Sequence, residues 1–227
     1  EQDASERLAD KIVEAINSNS GIFRLGISTG SSPVELYRAL VKRYKAGDVS
    51  FKNVEIYSTD EYYPAPADTQ SRNRRLYEEL VANIDIKPEN VNIPKLTELH
   101  DSTYVSEFCA NYDEKAKDLD VLIMGIGEKG QVGFNEAGAA EQSRTRTVLL
   151  PYGSRKRQAK NFAGNLEITP KSAIAMGVST MMSSKKIYLI AWGEDKAQVV
   201  KNVSEGKADP VCPASLLQRH QNISFYV

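Results

Sequence analysis

The stretch Asp120 to Gly125 reads Asp-Val-Leu-Ile-Met-Gly. No polar side chain interrupts its four central positions, so a strand here must be buried on both faces. A strand of that kind suits a sheet covered on both faces and argues against one with a solvated face. The rest of the sequence fits that restriction. Ala4 to Ile16 carries Leu8, Ile12, Val13 and Ile16 at the spacing of one helical face. Ile22 to Ile27 predicts a strand, Ser28 to Pro33 a turn, and Val34 to Tyr44 a second helix. Val54 to Ser58 predicts a strand and Leu76 to Ile84 a helix. Val105 to Leu119 is helical in pattern, and Thr147 to Leu150 is a further strand candidate. Lys186 to Trp192 predicts a strand, Lys196 to Ser204 a helix, Ala214 to Arg219 a short helix, and Ile223 to Val227 a final strand. Strands alternating with helices define the fold class: α/β, with an open, mostly parallel Rossmann-like sheet and helices on both faces. No repeat, low-complexity tract or long linker divides the 227 residues, so 1–227 is expected to be a single domain.

Composition excludes several function classes. Lys plus Arg total 29 and Asp plus Glu 30, a net charge of −1. That balance carries no electrostatic footprint for nucleic acid or an acidic membrane surface. The longest apolar runs, Val121 to Met124 and Ile187 to Trp192, are far too short to span a bilayer. Cys109 and Cys212 lie too far apart for a disulfide framework or a metal motif, and read as free, partly buried thiols. His100 and His220 are too few and too scattered for a histidine-based zinc site, and no metal or cofactor is expected. The sequence begins at Glu1 rather than Met, and residues 1–20 alternate charged and apolar character, unlike a signal peptide. The expected compartment is the cytoplasm.

Three polar clusters each follow a predicted strand, where open α/β sheets bind their ligands. The first is Leu25-Gly-Ile-Ser-Thr-Gly-Ser-Ser-Pro33. Its glycines permit a tight turn, its hydroxyls and amides are donors, and Pro33 suits the first turn of the following helix. An anion would meet the positive end of that helix. The loop is neither a Walker A sequence nor a dinucleotide fingerprint, and an ordinary helix-capping turn is the alternative. The second cluster is Ser58-Thr-Asp60-Glu61-Tyr62, in which a carboxylate placed in a crevice can serve as a base. A capping or exposed acidic pair is the alternative. The third is Gly125 to Glu136, with four glycines in nine positions and Asn135 and Glu136 at its far end. It reads as a loop that crowds a small ligand, or as a flexible surface loop. Arg155, Lys156, Arg157 and Lys160 between Pro151 and Ile168 read as a mobile lid over an anion or as a solvated basic loop.

Taken in order, these segments resemble the glucosamine-6-phosphate deaminase (isomerase) family, whose relatives include galactosamine-6-phosphate isomerases and, further off, 6-phosphogluconolactonases. The matching pieces are Ser28 to Pro33, Asp60-Glu-Tyr62, Ile84 to Asn90, Gly125-Ile-Gly127, Gly133 to Glu136, Ser143 to Arg146, Ala175 to Ser179 and Gly193 to Lys196. The tail from Cys212 to His220 leans to the galactosamine branch. Phe134-Asn-Glu136 leans to the deaminases, and Ser71-Arg-Asn73 leans to the lactonases.

The resemblance implies an amino-sugar-6-phosphate deaminase. An opened sugar passes through an enolamine and releases ammonia to give the ketose 6-phosphate. It implies Asp60 as the carboxylate that shuttles a proton from C2 to C1, and Glu136 as the carboxylate assisting ring opening. Ser28, Thr29, Gly30, Ser31, Ser32, Lys160 and Lys196 would hold the phosphate, and Glu61, Gly127 and Asn135 would bind substrate. At Lys160 the family carries an arginine, so the charge is kept and the bidentate fork lost. The partner implied is a small sugar phosphate, and members of the family commonly self-associate, so a homo-oligomer is an expectation.

One departure stands out. The family's Gly-Asn-Asp-Gly-His reads Gly127-Glu-Lys-Gly-Gln131 here. Histidine transfers protons near neutral pH, whereas a glutamine amide only forms hydrogen bonds. Ring opening is therefore expected to be slow, with Lys129 beside Glu136 as a substitute acid–base pair or Glu136 acting alone. A 6-phosphogluconolactonase-like hydrolase and a sugar-phosphate-binding protein without catalysis are the competing expectations.

Overall fold

The computed structural model describes residues 1–227. In chain order the first half consists of α1 (Gln2–Ser18), β1 (Phe23–Ile27), α2 (Val34–Ala46), β2 (Val54–Ser58), β3 (Asp60–Tyr63), α3 (Arg74–Glu79), β4 (Val91–Asn92) and α4 (Ser102–Lys115). The second half consists of β5 (Val121–Gly125), β6 (Arg146–Leu149), α5 (Tyr152–Gln158), β7 (Ser172–Ala175), α6 (Val178–Met182), β8 (Ile187–Ile190), α7 (Ala197–Glu205), α8 (Pro213–Leu216) and β9 (Ile223–Tyr226).

Six strands form one parallel sheet in the order β4-β2-β1-β5-β8-β9. Both faces are covered, and the central strands show why their sequences are continuously apolar. Val121 and Ile123 of β5 join a core with α1 and α2, while Leu122 and Met124 join the opposite core with α6, α7 and α8. In β8, Tyr188 and Ile190 face the first core and Ile187 and Leu189 the second. The two-residue strand period thus feeds two hydrophobic layers from one run. Helix α1 buries Leu8, Ile12 and Ile16, as its periodicity predicts. Helix α2 ends at Gly47, whose φ of 84° is the left-handed conformation that glycine adopts without steric cost. Helix α4 starts one turn before the predicted Val105, because Asp101 caps it by accepting from the Tyr104 amide at 3.0 Å.

A second, three-stranded antiparallel sheet, β3-β7-β6, abuts the first. The predicted strand near Thr147 is its β6; β3 and β7 were not predicted. Only Thr59 separates β2 from β3. Its amide donates to the Ile27 carbonyl at 3.0 Å, and its carbonyl accepts from the Met176 amide at 2.8 Å. The chain changes sheets at this residue, and Asp60 opens β3 against Ala175. No helix is long and apolar enough to cross a membrane. Cys109 and Cys212 are both free, Cys109 buried and Cys212 half-buried.

Candidate active site

Neighbouring strands β1 and β5 mark the point where the order of the parallel sheet reverses, and a cleft of about 510 Å³ opens beyond their carboxyl ends. Residues Ser28 to Ser32 leave β1 and form one wall. The loop is held from three sides: the Ser28 amide donates to Ile123, the Tyr37 hydroxyl donates to the Ser28 carbonyl at 2.9 Å, and Trp192 Nε1 donates to the Ser32 carbonyl at 2.7 Å. The amides of Thr29, Gly30, Ser31 and Ser32 donate to no protein acceptor, and all four residues line the cleft ahead of α2. Four unpaired donors at the start of a helix form a site for an anion.

The side chain of Thr29 is otherwise engaged. Its hydroxyl donates to Asp60 Oδ1 at 2.8 Å, which leaves its amide as the one donor of Thr29 open to the cleft. Asp60 is buried at the cleft floor. Thr59 donates to its Oδ2 at 2.9 Å, and Arg72 Nε pairs with its Oδ1 at 3.1 Å. Gly133 faces the same carboxylate: a Cβ there would stand 3.0 Å from Oδ2, and φ at Gly133 is 58°. A glycine thus keeps one side of Oδ2 open.

The sequence drew attention to Arg72 only within the lactonase-like Ser71-Arg-Asn73 and assigned it no role in the site. Its guanidinium lies over the Phe134 ring, 4.6 Å from the centroid, a cation–π arrangement. Burial alone would lower its pKa, but the charges of Asp60, Tyr62 and Glu61 outweigh burial and hold it above the usual arginine value.

Glu61 does not reach the cleft lining. It points beneath the Ser71–Asn73 turn, where it accepts from the amides of Tyr62 at 2.8 Å and Arg72 at 3.0 Å, from Asn73 Nδ2 at 3.0 Å and from the Ser71 hydroxyl. It is the pedestal of that turn rather than a group open to substrate. Asn135 is also committed elsewhere: its Nδ2 donates to the carbonyls of Val132 and Met176, which fixes the glycine-rich loop to the end of β7. Lys129 is exposed and outside the cleft lining, so the expected acid–base pair with Glu136 does not form. Only the Lys129 amide takes part, donating to Gln131 Oε1 at 3.0 Å. That bond leaves the Gln131 Nε2 hydrogens available to the cleft. Gly127 lines the cleft against the Gln131 side chain.

The opposite wall is α5 and the turn after it, not a bare basic loop. Ser154 donates to Glu136 and accepts from Arg157 at 2.8 Å, and Phe162 anchors the segment against Tyr62. The Tyr62 hydroxyl, its pKa pushed up to about 12 chiefly by burial, donates to Gln158 at 3.0 Å. The cleft gathers six basic side chains (Arg72, Arg74, Arg75, Arg157, Lys160 and Lys196) against three carboxylates (Asp60, Glu128 and Glu136). Arg72 and Arg74 have ion-pair partners, and the other four basic groups have none. A chain of net charge −1 therefore presents a cationic site suited to an anionic ligand.

A family model for glucosamine-6-phosphate isomerases/6-phosphogluconolactonase matches residues 1–225. The chain is 39 % identical over 227 residues to a glucosamine-6-phosphate isomerase of Candida albicans, covering 97 % of this chain and 90 % of that one. It is 37 % identical over 205 residues to glucosamine-6-phosphate deaminase 2 of Bacillus subtilis, covering 88 % and 81 %. A glucosamine-6-phosphate deaminase-like protein of Bacteroides thetaiotaomicron is 36 % identical over 228 residues, and this chain spans about a third (34 %) of its length. Among solved structures, a monomeric glucosamine-6-phosphate deaminase superposes with a TM-score of 0.90 at 30 % identity, covering 99 % of this chain and 92 % of that one. The fold alone is shared with a 6-phosphogluconolactonase from Trypanosoma cruzi, TM-score 0.75 at 16 % identity, covering 99 % and 90 %. On the family match along nearly its whole length, the chain belongs to the glucosamine-6-phosphate isomerase/6-phosphogluconolactonase family.

Proposed function

We propose that this chain deaminates and isomerises an amino-sugar 6-phosphate, glucosamine 6-phosphate or its galactosamine epimer, with Asp60 as the proton shuttle. The carrying observation is a buried carboxylate fixed by Thr29, Thr59 and Arg72, with one side of Oδ2 open, beside four unpaired amides that suit a phosphate. In the opened sugar, Asp60 removes the C2 proton, the C2–H electrons form the C1=C2 bond, and the C1=O π pair moves onto the C1 oxygen, which takes a proton to give the enolamine. The amine then pushes electrons back while Asp60 returns the proton to C1, leaving a C2 iminium. Water adds at C2, ammonia leaves, and the ketose 6-phosphate remains. The phosphate is held by the Thr29 to Ser32 amides, the Ser31 and Ser32 hydroxyls, Lys196 and Lys160. Glu136 and Gln131, both in the cleft lining, would assist ring opening.

A second reading, a sugar-phosphate binder without turnover, rests on Gln131 standing where an acid–base histidine would act, and on Lys129 lying outside the cleft. Ammonia release separates the two. The protein is incubated with each amino-sugar 6-phosphate, with Asp60→Asn as control. Ammonia from one epimer, lost in the variant, supports the deaminase and identifies its substrate. A thermal shift from the same ligands without ammonia overturns it in favour of the binder.

A further inference from the structure

Arg72 has a part that the Asp60 pairing does not use. The residue lines the cleft and its side chain is 15 % exposed. Nε is spent on Asp60, and Nη1 points to Gln158 Oε1 at 3.4 Å. Nη2 has no protein acceptor. The guanidinium cannot shift freely to find one: its plane rests on Phe134, and its backbone amide donates to Glu61, whose other carboxylate oxygen accepts from Asn73 Nδ2. Two buried polar residues, Glu61 and Asn73, thus position one cation beside the carboxylate that faces the cleft. An arginine stays protonated throughout the working pH range, so it cannot serve as a general acid. What it can offer is a preorganised, charge-assisted N–H to an oxygen that becomes negative.

We infer that Arg72 is a catalytic residue whose Nη2–H binds the substrate's C1 oxygen and stabilises the enolate formed when Asp60 takes the C2 proton. This rests on the reading of Asp60 as the proton shuttle. In the step, the C2–H pair becomes the C1=C2 bond and the C1=O π pair moves onto oxygen, held by Arg72. That oxygen then takes a proton from water, and the enolamine proceeds as above. The site would thereby favour open-chain sugar phosphates with a carbonyl at C1 over equally phosphorylated polyols, and it supplies electrophilic assistance where Gln131 cannot donate a proton.

The test compares wild type with Arg72→Gln and Arg72→Lys. Arg72→Gln is expected to lower kcat by about 10²–10³-fold, the cost of losing one such donor, with KM little changed. Arg72→Lys should recover part of the loss, and added guanidinium should partly rescue Arg72→Gln. A second arm needs no turnover. Binding is measured for an open-chain phosphorylated hydroxamate, which carries an anionic oxygen in the enolate position, and for a six-carbon alditol phosphate, which carries a neutral hydroxyl there. Arg72→Gln should weaken the hydroxamate more than about tenfold while sparing the alditol phosphate. Equal weakening of both ligands, or a kcat within about threefold of wild type, would show Arg72 to be only a structural partner of Asp60 and overturn the inference. Absence of ammonia from wild type together with selective hydroxamate loss would overturn the deaminase reading and leave the Arg72 assignment standing.

Discussion

The hydroxyl of Thr29 donates to Asp60 Oδ1 at 2.8 Å, so the loop that would hold phosphate also orients the carboxylate that would move the proton. Binding at one end of a substrate is thus tied to geometry at the other. Thr29→Val keeps the side-chain shape and the backbone amide but removes that bond. The expected result is a fall in kcat of about 10- to 100-fold, as for a slightly misplaced catalytic group. Affinity for inorganic phosphate should hold, because the amides remain. Steady-state kinetics together with calorimetric titration of phosphate check both halves. Loss of phosphate binding alone would mean that the hydroxyl serves the anion rather than Asp60.

Gln131 makes the rate of ring opening testable. If opening limits turnover, substrate deuterated at C2 shows little isotope effect in the wild type. Gln131→His restores a proton-transferring group, a change typically worth about 10²–10⁴-fold when the group is well oriented. No carboxylate is positioned to orient it here, since residue 129 is an exposed lysine and Glu136 accepts from Ser154. The single substitution is therefore expected to reach only the lower end of that range. It should also unmask a primary isotope effect at C2. An isotope effect already full in the wild type would show that C2–H cleavage, not opening, is slow.

The parallel sheet was legible because its central strands are buried on both faces and their helices carry one apolar stripe each. The antiparallel sheet was not. In β3, Asp60 and Glu61 are buried carboxylates, and two acids in a row carry no strand signal because burial needs partners that sequence does not display. Those partners are Thr29, Thr59, Ser71, Arg72 and Asn73. The role of Arg72 was hidden for the same reason: Ser71-Arg-Asn73 carried only a lactonase-like resemblance, and it is the fold that packs Arg72 against Asp60 while Arg74 and Arg75, also lining the cleft, stay exposed. A signal was present in Ser71 and Asn73, small polar residues that flank it and anchor its turn. The cationic cleft was masked by a nearly neutral overall composition.

Gly177 caps α6 where the backbone of Ser143 and Arg144 passes directly against it. A Cβ on residue 177 would overlap the carbonyl oxygens of both residues, and backbone atoms cannot swing aside as side-chain ends can. Gly177→Ala is expected to destabilise the protein by about 1–3 kcal/mol. For a chain of this size that lowers Tm by roughly 2–4 °C per kcal/mol. Scanning calorimetry of the variant checks it, and an unchanged Tm would mean that the 143–144 segment yields easily.

That segment is held by Asp113, which is buried on α4 and accepts from the Thr145 amide at 2.6 Å, Arg144 Nε at 2.7 Å and the Thr180 hydroxyl. Burial alone would raise its pKa, but the Thr180, Thr145 and Arg144 hydrogen bonds outweigh it and hold the carboxyl below its usual value. A group whose folded pKa is depressed contributes its full stability above the unfolded value of about 3.9 and loses it as pH falls through the folded value. Asp113→Asn should therefore cost about 1.5–3 kcal/mol at pH 7, the range for hydrogen bonds to a charged group. The deficit should persist down to roughly pH 4 and shrink at lower pH, where the wild-type carboxyl is itself protonated. Urea unfolding of both proteins at neutral and acidic pH reads this difference. A deficit that stays constant into acid would show that the cost comes from the amide's geometry rather than from the lost charge.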